Sequence, residues 1–131
     1  MKRIIIAITG ATGTIYAVRL MELLRAETTL EVHLVMSRAA KMTLKMEHDA
    51  DLDYIHGLAH EVHDYGNIGA SISSGSFHSS GMIVAPCSIK TMSNIAMGNT
   101  GDLISRAADV VLKERRPLLI AIRETPLHAG H

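Results

Sequence analysis

The stretch IIIAITGATGTIY, residues 4–16, decides the fold, because an aliphatic run leads directly into a glycine-containing turn and then into helix-forming residues. An unbroken run of β-branched residues is typical of a strand buried on both faces, as in a parallel sheet. Gly10 and Gly13 permit a tight turn with a close backbone approach, and the first amides of the following helix would face an anion such as a phosphate. The stretch therefore predicts the start of a nucleotide-binding α/β domain.

Two positions bear on which nucleotide such a domain would bind. The dinucleotide fingerprint requires a third small residue, but position 16 is Tyr. The second strand should also end in an acid that binds a ribose, but Ser37 stands there. Both differences favour a mononucleotide over a nicotinamide dinucleotide. A glycine turn that only connects a strand to a helix remains an alternative on this motif alone.

Outward from this stretch, aliphatic runs alternate with amphipathic segments. Strands are predicted at residues 3–8, 31–36, 82–86 and 117–122. Helices are predicted at residues 14–26, 38–46, 87–98 and 102–116, with a short one within 51–60 and a Gly/Ser-rich loop at 66–81. Asp102 is the expected N-cap of the last helix. This alternation predicts one α/β domain over residues 1–131, with a Rossmann-like (flavodoxin-like) three-layer arrangement in which helices flank a parallel sheet.

The composition narrows the class of protein. Hydrophobic residues make up 47% and charged residues 20% of the 131, which is typical of a globular chain. Thirteen basic and thirteen acidic residues cancel, so nothing indicates a nucleic-acid partner. A lone cysteine excludes an intrachain disulfide. With neither a signal peptide nor a membrane span in the sequence, a cytoplasmic protein is expected.

Two later strand ends carry polar residues that match the first turn. PCSIKT, residues 86–91, offers hydroxyls, a lysine and helix-start amides, and RETP, residues 123–126, offers Arg123 and Glu124. The carboxyl ends of parallel strands lie at one edge of a sheet, so these segments should converge on one ligand. Arginine suits a phosphate or a flavin carbonyl. A solvated ion pair is the alternative for Arg123 and Glu124.

Other reactive residue types give weaker signals. Cys87 has no evident histidine partner nearby, which favours a structural or pocket-lining role over a nucleophile. Glu47, by itself, is typical of a surface acid. The histidines at 48, 56, 60, 63 and 78 are scattered without an HExxH or paired Cys/His spacing, so no metal site is predicted.

Six segments taken together resemble the UbiX-like flavin prenyltransferases, in order and over essentially the whole chain. They are TGATGTIYAVRL, HLVMSRAA, ISSGSF, PCSIKT, RAADVVLKERRPL and RETPLHAGH. The resemblance implies a Rossmann-like flavoprotein fold, usually assembled as a homododecamer. It also implies transfer of a dimethylallyl group from dimethylallyl phosphate to N5 and C6 of FMN, without a metal. The prenylated FMN would serve a partner UbiD-like decarboxylase.

The resemblance also assigns roles by position. FMN contacts are implied for Gly10, Ala11, Thr12, Ser37, Ser88, Ile89, Lys90, Thr91 and Arg123. The carboxylates near the reaction centre correspond to Glu47 and Glu124. The lysine near the dimethylallyl phosphate corresponds to Lys113, which could act on the ligand of a neighbouring subunit.

Two departures from the family pattern keep alternatives open. Thr12 stands where the family usually has Ser. The family also continues into a C-terminal segment with a further helix, a core strand, and a Tyr and a basic residue that grip the dimethylallyl phosphate. One alternative is therefore an FMN-binding module that lacks transferase activity. Another is an FMN-dependent cysteine decarboxylase, although that class carries PASANT where this chain has APCSIKT.

Overall fold

The computed structural model describes residues 2–27, 29–48, 52–123 and 126–131, and a five-stranded sheet runs through its centre. All pairings in this sheet are parallel, and the strand order is β3-β2-β1-β4-β5. The strands are β1 (Lys2–Ile8), β2 (Leu30–Met36), β3 (Glu61–His63), β4 (Gly81–Cys87) and β5 (Leu118–Ile122). The predicted parallel α/β fold is confirmed.

Helices cover both faces of the sheet. They are α1 (Thr14–Arg25), α2 (Arg38–His48), α3 (Leu52–Gly57), α4 (Ile89–Met97) and α5 (Leu103–Lys113), with a 3₁₀ turn at Ser71–Ser73. Because successive strand residues point to opposite faces, Ile6 and Ile8 pack with α1, α2 and α3, whereas Ile5 and Ala7 pack with α5. This two-sided burial explains the unbroken aliphatic run in β1.

The ends of the elements follow local backbone chemistry. Asp102 caps α5 by accepting a 2.9 Å hydrogen bond from the amide of Ser105, as predicted. Gly98 ends α4 in the left-handed conformation, with φ 72°. The predicted helix at 102–116 is too long, because α5 ends at Lys113 and Arg115 adopts φ 56°.

One strand was missed from the sequence. β3 pairs with the outer side of β2, with His33 opposite Glu61 and Val35 opposite His63. The predicted loop that follows it is tied down near its end, where the Arg116 guanidinium donates to the carbonyl oxygens of Phe77 (2.7 Å) and Gly75 (3.2 Å). In the described parts of the chain, no helix combines the length and apolar character needed to cross a membrane.

Candidate functional site

Thr9 joins the carboxyl ends of the two central strands. Its hydroxyl donates a 2.6 Å hydrogen bond to the carbonyl oxygen of Pro86 and accepts a 2.8 Å bond from the amide of Ser88. The Thr9 backbone amide also donates to Pro86, at 3.2 Å. Only 1% of the Thr9 side chain is exposed. The turn after β1 and the turn after β4 are thereby held side by side.

Two helices begin at this edge of the sheet, each with a serine cap. The Ser37 hydroxyl accepts from the amide of Ala40 at 3.0 Å and starts α2. The Ser88 hydroxyl accepts from the amide of Thr91 at 3.2 Å and starts α4. The other amides of a first helical turn have no partner within the helix, and the helix dipole is positive at this end. Both helix starts therefore favour an anion at the same edge.

Gly10 and Gly13 are required by close approaches in the turn between β1 and α1. A Cβ at Gly10 would lie 2.4 Å from the Cβ of Ala39, which is closer than real carbon atoms come. Gly13 has φ 98°, and a Cβ there would lie 2.9 Å from Nε of Arg123. The turn can therefore press against α2 on one side and against Arg123 on the other only because both residues lack side chains.

A cavity of about 480 Å³ opens where these turns meet. Its lining consists of Thr9, Gly10, Ser37, Arg38, Ala39, Tyr65, Ser88, Lys90 and Thr91. This set contains two cations and several hydroxyls but no carboxylate. Such a donor set suits a phosphate monoester, since both the charged groups and the helix starts stabilise negative charge. The residues present therefore fit the phosphate end of FMN.

A second cavity of about 320 Å³ lies on the other side of the same turn. It is lined by Gly13, Tyr16, Ala85, Pro86, Ala121, Ile122 and Arg123. Most of this lining is apolar, and the Arg123 guanidinium lies 5.3 Å from the centre of the Tyr16 ring. An apolar cavity with one cation at its rim suits a flat, uncharged ring system with polar edge atoms.

Most of the predicted binding residues converge here. Five line the first cavity: Gly10, Ser37, Ser88, Lys90 and Thr91. Ala11 and Thr12 lie in the turn between the two cavities, Ile89 is the first residue of α4, and Arg123 lines the second cavity. Contacts of these residues with a flavin stay a prediction.

Of the three predicted catalytic residues, only Lys113 has a side chain among the described residues. Lys113 is exposed at the end of α5, and the chain then reaches Pro117, whose carbonyl accepts from the amide of Met82 near the start of β4. Lys113 therefore lies at the opposite edge of the sheet from both cavities. The side chain of Glu47, in the last turn of α2, and the whole of Glu124 lie outside the described residues.

Four residues that line the first cavity were missed from the sequence: Thr9, Arg38, Ala39 and Tyr65. The first two directly adjoin the predicted Gly10 and Ser37, so the strand-end argument could have included them. Tyr65 follows the unrecognised β3, and no sequence signal places it at the cavity. Burial, followed by the nearby charge and hydrogen bond of Asp102, raises the pKa of the Tyr65 phenol. Tyr65 is therefore a neutral hydroxyl at neutral pH.

Cys87 belongs to the core rather than to either cavity lining. It packs among the buried side chains beneath α5, with 1% of its surface exposed. Burial raises the pKa of its thiol to about 11. A neutral, enclosed thiol is a poor nucleophile, which supports the structural role expected from the sequence.

Comparisons with known proteins identify the family. The family model described as Flavoprotein matches residues 1–129. Flavin prenyltransferase UbiX of Escherichia coli strain K12 is 57% identical over 131 residues, which are all of this chain and 69% of that protein. The chain belongs to the UbiX flavin prenyltransferase family. The resemblance seen in the six sequence segments is therefore confirmed.

Solved structures agree with this assignment. AnUbiX (PadA1) in complex with FMN and dimethylallyl pyrophosphate superposes with a TM-score of 0.95 at 48% identity, covering 98% of this chain and 68% of that one. A dodecameric FMN-dependent UbiX-like decarboxylase from Escherichia coli O157:H7 also gives a TM-score of 0.95, at 45% identity, covering 97% of this chain and 69% of that one. The five-stranded sheet and its helices are thus those of this family.

Proposed function

We propose that this chain is a flavin prenyltransferase, which transfers a dimethylallyl group from dimethylallyl phosphate to N5 and C6 of reduced FMN. The observation that carries the proposal is the 57% identity to a flavin prenyltransferase over the whole chain. The site supports it, because a cationic, hydroxyl-rich cavity and an apolar cavity flank one glycine turn. A phosphorylated flavin has this same division between an anionic end and a flat ring system.

The first cavity would hold the FMN phosphate. Lys90 and Arg38 supply positive charge, and the Thr91 hydroxyl, which accepts a 3.0 Å hydrogen bond from the Ser88 hydroxyl, would supply a neutral donor. Thr9 does not contribute a free hydroxyl, because its oxygen already bonds Pro86 and Ser88. Its role is to fix the distance between the two turns that hold the phosphate. The Tyr65 phenol already donates its hydrogen to Asp102, so it would line the cavity without a free donor.

The second cavity would hold the flavin ring and the allyl group. When bound, reduced FMN supplies the electron-rich N5 and C6 atoms that are alkylated. Departure of phosphate from an allylic carbon develops positive charge on that carbon, and an apolar lining such as Pro86 and Ile122 excludes water that would otherwise capture it. Arg123 at the rim would bind a flavin carbonyl, and Gly13 allows the ring to approach the backbone.

The residues that act on the departing phosphate come from the family assignment. Lys113 would neutralise the leaving phosphate, and Glu47 and Glu124 would exchange protons near the reacting atoms. Because Lys113 lies at the sheet edge away from the cavities, this role requires a neighbouring subunit that places it against another chain's ligand. The proposed assembly is a homododecamer, as in the dodecameric relative.

Assembly into an oligomer would also account for apolar side chains on the surface of the chain. Several large apolar side chains are exposed in the single chain, as expected if neighbouring subunits cover them: Tyr16, Leu23, Met42, Met46, Met97 and Leu119. The prenylated FMN would pass to a UbiD-like decarboxylase, and the reaction would take place in the cytoplasm. Prenyl transfer would need no metal at the flavin cavities, where the described lining offers hydroxyls and cations rather than metal ligands.

The test is the mass of the flavin after turnover. Purified protein would be incubated without oxygen with reduced FMN and dimethylallyl phosphate, and the released flavin analysed by mass spectrometry. The expected product is heavier than reduced FMN by one C5H8 unit. A folded sample that binds FMN but leaves its mass unchanged would support the binding-module alternative instead.

A pair of lysine variants separates catalysis from binding. Lys113→Gln should lower the transfer rate about 100-fold or more, since a charge that stabilises a transition state is worth that much, and should leave FMN affinity unchanged. Lys45→Gln, at another exposed helical lysine, is the control and should alter neither quantity. Equal activity of the two variants would remove Lys113 from the mechanism.

A further inference from the structure

A cluster of metal-ligating side chains lies on the sheet, away from both cavities. Because β2 and β3 are parallel and His33 is opposite Glu61, the side chains of Glu31, His33, Glu61 and His63 lie on one face of this edge pair. None of these residues lines either cavity described above. The cluster is therefore a feature that the flavin chemistry does not use.

The ligand atoms of three of these residues converge. Nδ1 of His33 lies 2.9 Å from Nε2 of His63 and 3.5 Å from Oε2 of Glu61. All three ligand atoms lie within 4.8 Å of one another. In a tetrahedral zinc site, with metal–nitrogen distances of about 2.0–2.1 Å, neighbouring ligand atoms are roughly 3.3 Å apart. The 2.9 and 3.5 Å separations lie within about half an ångström of that spacing, and the remaining pair, Nε2 of His63 and the Glu61 carboxylate, would close from at most 4.8 Å by rotation of the exposed Glu61 side chain.

Glu31 determines which ring nitrogen of His33 carries the hydrogen. Its Oε1 lies 2.7 Å from Nε2 of His33 and 3.5 Å from Nε of Arg3. A carboxylate at that distance accepts the Nε2 hydrogen, so Nδ1 of the neutral ring presents its lone pair towards His63 and Glu61. A histidine that donates one ring N–H to a carboxylate and offers the other nitrogen to a metal is the usual arrangement in zinc proteins.

The cluster is buried on the side of its two histidines and open to solvent on the side of Glu61. His33 and His63 are 2% and 8% exposed, and the edge of the Phe77 ring covers His33 with 4.8 Å between ring centres. The Glu61 side chain is 56% exposed. An ion could enter beside Glu61, bind the two fixed nitrogens, and keep a water as its fourth ligand, as three-ligand zinc sites do.

We propose that His33, Glu61 and His63 bind a divalent cation of the zinc class, with Glu31 orienting His33 through the hydrogen bond to its other ring nitrogen. The ion would fasten the three-residue edge strand β3 to β2. The site is separate from the flavin cavities, so it adds a structural metal without changing the expectation that prenyl transfer itself needs none. The proposal departs from the sequence-based expectation of no metal site, which weighed His63 with the scattered histidines at 48, 56, 60 and 78 and did not consider His33.

Cobalt binding tests the proposal directly. Chelator-treated, dialysed protein would be titrated with Co²⁺, whose visible absorption is intense in tetrahedral sites, and then with Zn²⁺ as a competitor. One equivalent of Co²⁺ should bind with that absorption, and Zn²⁺ should displace it. Zn²⁺ should also raise the melting temperature, because it binds the folded state. A melting temperature that Zn²⁺ leaves unchanged, together with no Co²⁺ absorption, would overturn the proposal.

Variants show where the ion binds. Glu61→Gln removes an exposed ligand without disturbing the core and should abolish the tetrahedral spectrum, as should His63→Gln if it folds by circular dichroism. Glu31→Gln should weaken binding about 10- to 100-fold. His78→Gln, at an exposed histidine outside the cluster, is the matched control and should bind like the parent. A spectrum that survives Glu61→Gln would contradict the proposal.

A second pair of histidines must be separated from the cluster. The rings of His128 and His131 lie with centres 3.5 Å apart and could bind Co²⁺ on their own. The protein carrying both His128→Gln and His131→Gln should therefore keep its cobalt spectrum and affinity. Loss of binding in this double variant would place the ion at that pair and overturn the assignment to β2 and β3.

Discussion

The hydroxyl of Thr9 accepts a 2.8 Å hydrogen bond from the backbone amide of Ser88, across the gap between the ends of β1 and β4. The same hydroxyl donates to Pro86 at 2.6 Å, so one buried side chain satisfies groups on both turns. The Ser88 hydroxyl in turn caps α4. The geometry of the proposed phosphate cavity therefore depends on a residue that need not touch the phosphate.

Replacing Thr9 by Val should destabilise the protein and weaken FMN binding together. The change keeps the shape of the side chain but leaves the partly buried amide of Ser88 without its acceptor, at a cost of about 1–3 kcal/mol. Urea unfolding measures the first effect and a flavin fluorescence titration the second. Thr9→Ser keeps the hydroxyl and should restore most of both. Normal FMN affinity in a destabilised Thr9→Val would show that the link does not shape the cavity.

Gly10→Ala should damage the site through packing rather than charge. The new methyl would lie 2.4 Å from Cβ of Ala39, so the turn or the start of α2 must move. Overpacking of this kind costs about 1–3 kcal/mol, and FMN affinity should fall with it. Thermal unfolding and flavin titration are the measurements.

Two further variants isolate the clash at Gly10. Gly101→Ala is the control, because no heavy atom lies within 4 Å of the added methyl, and it should bind FMN normally. Adding Ala39→Gly to Gly10→Ala removes the closest contact and should recover part of the affinity. No recovery would mean that the backbone of residue 39, 3.1 Å away, causes the loss instead.

Lys90→Gln should discriminate between FMN and riboflavin. Lys90 is exposed, so its attraction for a phosphate is screened and worth at most about 1 kcal/mol, or about two- to fivefold in affinity. The loss should apply to FMN, shrink at high salt and be absent for riboflavin, which has no phosphate. Fluorescence titrations at two salt concentrations measure it. Equal losses for both flavins would place Lys90 away from the phosphate.

The sequence predicted the part of the site that depends on strand ends. Aliphatic runs end at Thr9 and Cys87, and the polar residues that follow must lie at one edge because the strands are parallel. This argument needs only the run, the turn and the direction of the strands. It therefore located Gly10 and Ser88 correctly at one edge before any side-chain packing was known, whereas Ser37 was assigned through the family resemblance.

The sequence could not reveal what depends on β3. Glu61–His63 is three residues long and largely exposed, so it carries no hydrophobic period that would distinguish a strand from a loop. Its pairing with β2 brings His63 to His33, thirty positions away along the chain, and carries Tyr65 to the cavity. Contacts between an edge strand and its neighbour depend on the register in which the two strands pair. The spacing of residues along the sequence does not reveal that register.

Cys87 should be inert in the folded protein. Its pKa of about 11, raised by burial, means that the thiol stays protonated through pH 8 and begins to ionise only well above pH 9. Alkylation by iodoacetamide at pH 8 should therefore be slow in buffer and complete in urea, as followed by mass spectrometry. Cys87→Ala should fold and retain prenyl transfer, because the thiol lines neither cavity. Rapid labelling of the native protein, or loss of transfer in a folded Cys87→Ala that still binds FMN, would instead make this thiol part of the reaction.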